Sequence, residues 1–479
     1  MTARWFFNLY VFIGGAAVML LEFAASRLLA PYFGTSIFVW GNIIGAILIA
    51  LSIGYIIGGK LADRKPDISV ISRAVLVACV LVSLIPVLLQ WLVVPLTTIQ
   101  TVFSVRIGFS IIGSFIAIVG LFAVPVVLLG MISPFLIRVA MTDVKSAGTV
   151  AGGLYAWSTI GSIVGTFAGA FFVVPWLGSR ETIFISAMLL GVMGSIGVKR
   201  YYAAAVLIIP IVFYVWFYQQ PLRADAVVLE EGETLYQYYA VTDEVDRLLL
   251  QYNEGLGTQS FYMKQGVATG SYYDYVVKAP AWLDRANGGT AAVLGLAGGT
   301  LTRQLTTYYP NWAVTGVELD GQIVDVAKRY FHLAEQPITI VVDDGRNFMQ
   351  TTTEQFDVIF IDVFTNEYYI PWHMTTLEFM ETLAEHQPAD GMIALNIGSA
   401  GEDTYLFKAM LNTLQAVYPY VYVQAVPDSI NYAVFASRQP LSIEAKQYEP
   451  DHAVPVLTDN RAPVELYTEQ MVWRYILDL

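Results

Sequence analysis

Long apolar runs dominate the first 220 residues, and they constrain the fold more than any other feature of the chain. A helix needs about 20 apolar residues to cross the ~30 Å hydrocarbon core of a bilayer. Residues 1–220 are therefore predicted to form a membrane domain of about seven helices, with the lipid bilayer as a partner. The apolar runs lie at residues 6–29, 37–59, 70–95, 107–140, 149–174, 181–198 and 201–219.

The fifth apolar run carries glycine at every fourth position, at Gly161, Gly165 and Gly169. This spacing places the three glycines on one face of a helix, where a neighbouring helix can approach closely because no side chain intervenes. We expect this face to serve helix packing. A substrate groove is the alternative function for such a face.

Charge separates the second half of the chain from the first. Asp and Glu outnumber Lys and Arg by 39 to 26 over the chain, yet only five of the acids precede residue 221. Such asymmetry indicates two parts in different environments. The second part is predicted to be a soluble acidic domain. It is not expected to bind nucleic acid, because its charge repels phosphates.

Metal-binding patterns are not found in the sequence. Cys79 is the only cysteine and lies in an apolar run, so neither a disulfide nor a cysteine metal site can form. The four histidines show no metal-ligand spacing. We therefore expect no metal.

Two structural patterns follow one another in the soluble half. Residues 221–285 contain short β-prone runs between turn signals, which predict a small antiparallel β-unit. Residues 286–479 alternate strands with helices, which predicts a Rossmann-like α/β domain with a mostly parallel sheet. The predicted strands of this domain are 291–296, 313–318, 338–342, 356–361, 392–396, 421–425 and 432–436.

Glycines follow the first predicted strand and an acid ends the second. Open α/β sheets bind their ligands at the carboxyl ends of the strands. The first strand leads into Gly295-Leu-Ala-Gly298-Gly299, where glycine lets the backbone approach a ligand closely. Glu318 ends the second strand, in the position where a carboxylate accepts hydrogen bonds from ribose hydroxyls.

Further acids follow the third and fourth strands. Asp343-Asp344-Gly345 comes after the third strand, and Asp362 ends the fourth. An acidic set of this kind suits a nucleoside that carries a positive sulfonium better than it suits a pyrophosphate. The pattern therefore indicates an S-adenosylmethionine-type cofactor. The alternative is that each acid caps the helix that follows it.

Residues 230–440 resemble the spermidine synthase family, the polyamine aminopropyltransferases, and the whole chain resembles a membrane-fused subclass of that family. The family's first β-unit carries Tyr-Gln, matched by Tyr236-Gln237, and a second glutamine follows its next hairpin, matched by Gln259. The start of a family helix is matched loosely by Ser271-Tyr272-Tyr273-Asp274.

The resemblance implies roles for the residues at the strand ends. Gln237, Gln259 and the glycine loop Gly295–Gly299 would bind the cofactor. Glu318 would hold its ribose and Asp343-Asp344-Gly345 its adenine. Asp362 corresponds to the family's catalytic aspartate. Tyr272 is also predicted to be catalytic, and Tyr272, Tyr368 and Tyr369 are candidates to line an amine channel, since aromatic faces attract cations.

Two departures from the family concern acids that would hold ammonium groups. The family has an acid where this chain has Gly298, and a second one three residues after the catalytic aspartate, where this chain has Thr365. Glu367, Asp459 and Asp274 are candidates to replace them. Methyl transfer needs no amine-binding acid, so it stays open as an alternative.

Three functions follow from these features. The first is transfer of an aminopropyl group from decarboxylated S-adenosylmethionine to a small amine such as putrescine. The second is methyl transfer from S-adenosylmethionine to a small or membrane-located substrate. The third is a transporter or sensor whose soluble domain only binds a ligand. The resemblance also allows a homodimer.

The orientation in the membrane is predicted in two conflicting ways. Lys60, Arg64, Lys65 and Arg73 follow the second apolar run and should be cytoplasmic. With seven spans, the carboxyl-terminal domain would then lie outside. The cofactor is made in the cytosol, however, so we expect an integral protein of a bacterial inner membrane with its soluble domain in the cytoplasm.

Overall fold

The structure, a computed structural model, describes residues 2–103, 106–198, 201–217, 227–253, 257–364 and 369–477. The chain divides into two compact units, Met1–Ala224 and Asp225–Leu479. We describe each unit by itself.

The first unit is helical throughout its described part. Six of its helical segments are long and apolar enough to cross a membrane, and they coincide with the first six predicted runs. The α-helices are α1 (Thr2–Phe33), α2 (Ile37–Arg64), α3 (Ile68–Phe103), α4 (Arg106–Gly130), α5 (Ile132–Ala140), α6 (Ala147–Ala168), α7 (Val174–Leu177), α8 (Ser179–Val198) and α9 (Ile208–Phe217).

The seventh apolar run forms a shorter element than the other six. It begins as a 3-10 helix over Tyr201–Leu207 and continues as α9, which has 10 residues. At 1.5 Å per residue α9 alone spans about 15 Å, and the 3-10 part adds about 14 Å at ~2.0 Å per residue.

The glycine face of α6 packs against α1. A Cβ atom on Gly161 would lie 2.0 Å from the carbonyl oxygen of Phe12, and one on Gly165 would lie 2.5 Å from that of Ala16. The two helix backbones touch where side chains are absent, which is the packing role expected for these glycines. Gly169 contacts only side chains of α1.

The second unit begins with a four-stranded antiparallel sheet in the order β1-β2-β3-β4, which agrees with the predicted β-unit. Its first strand was not predicted, because the acidic composition of residues 228–233 masks an edge strand. The β-prone residues 234–242 form a strand only from residue 238. The strands are β1 (Val228–Glu233), β2 (Tyr238–Asp243), β3 (Arg247–Tyr252) and β4 (Ser260–Met263).

An eight-stranded sheet forms the centre of the second unit, in the order β12-β10-β11-β9-β8-β5-β6-β7. In this order, neighbouring strands from β9 to β7 pair in parallel. The pairs β12–β10, β10–β11 and β11–β9 are antiparallel. The strands are β5 (Gly289–Leu294), β6 (Trp312–Glu318), β7 (Ile338–Val342), β8 (Val358–Ile361), β9 (Met392–Gly398), β10 (Tyr420–Ala425), β11 (Asn431–Ser437) and β12 (Lys446–Gln447).

Helices connect these strands, as the alternating pattern predicted. The Rossmann-like class is therefore confirmed. In the sequence, this domain follows the apolar helical unit. The helices are α10 (Tyr273–Val276), α11 (Ala279–Trp282), α12 (Thr300–Tyr308), α13 (Gly321–Tyr330), α14 (Gly345–Thr351), α15 (Leu377–Glu385), α16 (Tyr405–Val417) and α17 (Val464–Leu477).

A hydrophobic cluster joins the small sheet to α13. Tyr239, Val241 and Leu250 from the small sheet pack with Ile323 and Val326 of α13. Because α13 directly follows β6, this cluster places the small sheet beside the carboxyl ends of the parallel strands. Residues of the small sheet can therefore contribute to a site at those strand ends.

Candidate active site

A cavity of about 230 Å³ lies at the carboxyl ends of the parallel strands. It brings together residues that lie far apart in the sequence, including most of those predicted for the site. Nucleoside-binding α/β sheets use this same edge. The predicted site residues on its wall are Gln237, Gln259, Gly295, Glu318, Asp343, Asp344, Gly345 and Asp362.

The glycine loop between β5 and α12 is held against the end of β8. Gly295 has a φ of +89°, and a Cβ atom there would lie 2.1 Å from the carbonyl oxygen of Asp362. Gly299 begins α12 with a φ of +79°. Only glycine adopts such conformations without strain, so the glycines are required for the loop and the aspartate to meet.

Every backbone N–H group of this loop already has an acceptor. The N–H groups of Gly295 and Leu296 donate to the carbonyl oxygen of Val317, and that of Gly299 donates to the Leu296 carbonyl. The Ala297 N–H donates to a Glu318 carboxylate oxygen at 2.8 Å. The Gly298 N–H donates to the Ser260 hydroxyl at 2.8 Å. A ligand can therefore pack against the loop, but none of the loop's N–H groups is left to bind an anion.

Glu318 is fixed by the backbone around it. Its two carboxylate oxygens accept hydrogen bonds from the N–H groups of Ala297 and Asp320, at 2.8 and 3.0 Å. Burial raises the pKa of Glu318, while these backbone N–H groups oppose the rise. Each oxygen keeps a lone pair for a ligand hydroxyl. Glu318 does not cap the following helix, because Asp320 does so.

The two acids after β7 differ in what they do. Asp344 caps α14 by accepting from the N–H groups of Arg346 and Asn347, and its other oxygen lies 3.1 Å from His373 Nε2. Asp343 accepts from the side-chain amide of Asn347. The alternative of helix capping thus holds for Asp344 and not for Asp343.

Asp362 lies between the glycine loop and two tyrosines. The Tyr272 hydroxyl donates to its Oδ2 at 2.5 Å, and the Asn396 side-chain amide donates to its Oδ1 at 3.5 Å. Burial raises the pKa of Asp362 to about 6, although Tyr272, Asn396 and Tyr273 each lower it. A carboxylate with such a pKa is suited to proton transfer near neutral pH.

The position of the family's missing acid at Gly298 is filled by another residue. A Cβ atom on Gly298 would lie 2.6 Å from the Ser260 Cβ and 3.0 Å from a ring carbon of Phe331. An aspartate at this position has no room unless Ser260 moves. Gly298 and Gly299 are not on the cavity wall. They shape the cavity only by setting the backbone path of the loop.

Two of the acids suggested as replacements are already engaged. Asp274 accepts from the N–H groups of Thr269 and Gly270. Asp459 forms an ion pair with Arg346 at 2.6 Å. Both therefore stabilise the fold, and neither is an available amine ligand. Thr365, Glu367 and Tyr368 lie outside the described residues.

One polar side chain beside Asp362 and one that contacts Tyr369 were not identified from the sequence. Asn396 lies near the carboxyl end of β9, so the rule that ligands bind at strand ends would have found it. Glu469 of α17 is buried and accepts a hydrogen bond from the Tyr369 hydroxyl. No local pattern marks Glu469, because its neighbour is 100 residues away.

Metal ligands are not clustered in the part of the chain that the structure describes. Within it, no group of three or more His, Cys, Asp or Glu side chains is arranged to hold a metal ion.

Comparisons with known proteins relate the second unit to polyamine enzymes. A family model for the spermine/spermidine synthase domain matches residues 271–440. The chain is 31% identical over 290 residues to a probable polyamine aminopropyl transferase of Bifidobacterium longum (strain NCC 2705), which covers 52% of this chain and 64% of that protein.

Methyltransferases also match the chain. The chain is 27% identical over 169 residues to the eEF1A lysine and N-terminal methyltransferase of Xenopus laevis, which covers 32% of this chain and 24% of that protein. The chain thus spans less than two thirds of the length of each of these relatives.

A solved structure of a probable spermidine synthase from Corynebacterium glutamicum ATCC 13032 aligns with a TM-score of 0.42 and 21% identity, over 50% of this chain and 97% of that one. The matching family model covers the glycine loop and the strand-end acids of the cavity. Residues 271–440 are therefore similar to spermine/spermidine synthase domains, and the chain resembles polyamine aminopropyl transferases over about half of its length.

Proposed function

We propose that the second unit transfers an aminopropyl group from decarboxylated S-adenosylmethionine to a small amine such as putrescine. The observation that carries this proposal is the charge of the cavity. Five carboxyl groups line it, and among its described lining residues there is neither lysine nor arginine. The carboxyl groups belong to Glu318, Asp320, Asp343, Asp344 and Asp362.

The charge of the donor distinguishes its two forms. Decarboxylated S-adenosylmethionine carries a sulfonium and an ammonium group, so an acidic cavity attracts it. S-adenosylmethionine carries a carboxylate in addition. That group would need a cationic or N–H partner, and the N–H groups of the loop from Gly295 to Gly299 are all occupied. The decarboxylated form therefore suits the site better.

In the proposed complex, Glu318 accepts hydrogen bonds from the ribose hydroxyls, and the segment Asp343–Gly345 lies beside the adenine. Gln237 and Gln259 close the cavity from the small sheet, and both are on its wall. The glycine loop passes beneath the sulfonium. These assignments combine the cavity lining with the roles that the family resemblance implies.

The reaction is a displacement at carbon. A neutral amine nitrogen attacks the methylene carbon next to the sulfonium, a C–N bond forms, and the C–S bond breaks with its electron pair going to sulfur. Methylthioadenosine leaves, and the new ammonium gives a proton to Asp362. Tyr272 holds the Asp362 carboxylate in place through its 2.5 Å hydrogen bond. The remaining contribution is alignment of nitrogen, carbon and sulfur.

Methyl transfer from S-adenosylmethionine is the second candidate. It is favoured by Ser260, which fills the space of the family's amine-binding acid next to Gly298. The methyltransferase relatives are consistent with it. A pure ligand sensor is the least favoured, because a sensor has no need of the Tyr272–Asp362 hydrogen bond.

The test is product analysis with the purified full chain in detergent. Decarboxylated and ordinary S-adenosylmethionine are each supplied with a panel of amines, and products are identified by mass spectrometry. Asp362→Asn is the matched control. Methylthioadenosine formed with an aminopropylated amine supports the proposal. S-adenosylhomocysteine formed with a methylated amine would replace it by methyl transfer.

We further propose that the chain crosses the membrane six times and keeps the second unit in the cytoplasm. An even number of spans removes the conflict between the positive residues after α2 and the cytosolic cofactor. Arg138, at the end of α5, forms an ion pair with Asp63 near the end of α2 at 3.1 Å. Both ends therefore lie on one side, and α9 would lie at the membrane interface.

A further inference from the structure

Asn396 lies beside the proposed base. It is on β9, the parallel neighbour of β8, and β8 ends one residue before Asp362. Its side chain is 7% exposed. Its Nδ2 donates to Oδ1 of Asp362 at 3.5 Å, whereas Tyr272 donates to Oδ2 at 2.5 Å. The two carboxylate oxygens are thus held by donors from two different elements.

The other end of the Asn396 amide has no partner in the part of the chain that the structure describes. Its Oδ1 is shielded from solvent and has no hydrogen-bond donor among the described residues. Native proteins leave few buried acceptors without a donor, and those that occur are found at catalytic sites among other places. Either a donor reaches this oxygen at some stage of the reaction, or the buried oxygen destabilises the folded protein permanently.

We propose that Asn396 is a positioning residue that serves Asp362 in both of its protonation states. The inference rests on the proposed function. While Asp362 is ionised, the Asn396 N–H group donates to it. The proton that leaves the attacking amine then forms an O–H bond on Oδ1 of Asp362. A half-turn of the amide, whose terminal torsion is broad and two-fold, presents the unpartnered oxygen as acceptor for that O–H group.

Few other titratable groups face Asp362. Tyr272 and Tyr273 face it from the segment that begins α10, and burial raises the pKa of both phenols well above their ordinary value, so both stay neutral. The donor from Asn396 lowers the pKa of Asp362, and burial raises it further than the donors lower it. The other titratable groups on the cavity wall are Tyr236, Tyr252, Glu318, Asp320, Asp343, Asp344 and His373.

The test is the pH profile of kcat/KM, which reports the free enzyme. Asn396→Leu removes the donor at similar size, so the acid limb should move to higher pH. Turnover on the plateau should also fall about tenfold or more, because the protonated carboxyl loses its acceptor. Asn396→Asp keeps the size and adds a like charge, so the limb should move further.

Asn412 supplies the matched control. It is a buried asparagine on α16 whose Nδ2 donates to the carbonyls of Asp451 and Val454 and whose Oδ1 accepts from Tyr448. Asn412→Leu should lower the melting temperature and leave the acid limb unchanged. The inference is overturned if Asn396→Leu and Asn396→Asp both keep the wild-type limb, or if Asn412→Leu shifts it equally.

A second readout separates this inference from the proposed function. Infrared difference spectra of the full chain between acidic and neutral pH contain the band of the protonated Asp362 carboxyl, identified by its loss in Asp362→Asn. The midpoint, the pH at which half of this band is lost, should be higher in Asn396→Leu than in the wild type, and this requires no substrate. A shifted midpoint with no aminopropyl transfer by the wild type would reject the proposed function alone. An unmoved midpoint would reject the role of Asn396 whatever the turnover.

Discussion

The Tyr272 hydroxyl and the Asp362 carboxylate form a 2.5 Å hydrogen bond across 90 residues of sequence. The bond joins the segment that begins α10 to the end of β8. It lies where the glycine loop meets the strand, because Gly295 permits an approach that no side chain would allow. A buried base is thus held in one orientation by an element outside its own strand.

The first prediction concerns pH. The pKa of Asp362 is raised to about 6 by burial, and the carboxylate form is the one that accepts a proton. Activity should therefore be lost as pH falls through about 6. Tyr272→Phe removes a donor that lowers this pKa, so the acid limb of kcat/KM should move to higher pH. A limb that stays in place would show that Tyr272 does not act on Asp362.

The second prediction concerns the base itself. Asp362→Asn keeps the volume and removes the proton acceptor, so turnover should fall about 100- to 10,000-fold. Binding of methylthioadenosine, measured by calorimetry, should change much less, because the ribose and adenine sites lie at other strand ends. Near-normal turnover would exclude Asp362 as the base, and loss of binding would place it in the donor site.

The third prediction concerns the ribose contact. Glu318→Ala should weaken methylthioadenosine binding about tenfold or more, since a hydrogen bond to a charged group contributes ~1.5–3 kcal/mol. Glu318 also accepts from the Ala297 N–H, so part of this loss would come from the loop. Glu318→Gln keeps one acceptor oxygen and should lose less. Unchanged affinity in both variants would remove Glu318 from the site.

The fourth prediction concerns the filled position beside the loop. Gly298→Asp should lower the melting temperature, because the new side chain meets Ser260 and overpacking costs ~1–3 kcal/mol. Adding Ser260→Gly should recover much of that loss. If the substrate is a polyamine, the double variant should also have a lower KM for amine. Full stability of the single variant would contradict the packing argument.

The fifth prediction concerns membrane topology. A cysteine added after Leu479 in a Cys79→Ser background should resist an impermeant maleimide in intact cells and react after permeabilisation. Thr35→Cys, in the turn between α1 and α2, is the control and should react from outside. Outside labelling of the carboxyl terminus would reject six spans and the cytoplasmic location together.

Local pattern determined much of this protein. Apolar length predicted the six long helices, and alternation of strands and helices predicted the parallel strands to within two residues at each end. These features follow from the periods of single elements, which a sequence displays directly. The strand-end rule also predicted that Glu318, Asp343 and Asp362 lie at one edge of the sheet, and all three line the cavity.

Tertiary structure decided which acids are available and what holds them. Asp274 and Asp459 look free in the sequence, yet backbone N–H groups and Arg346 occupy them. The space beside Gly298 is filled by Ser260, which lies on β4 of the small sheet. Asp274 is held by the nearby Thr269 and Gly270, but the pairings of Asp459 with Arg346 and of Gly298 with Ser260 join residues 113 and 38 positions apart. No period or spacing encodes such pairings, because they exist only once the sheets and helices have packed.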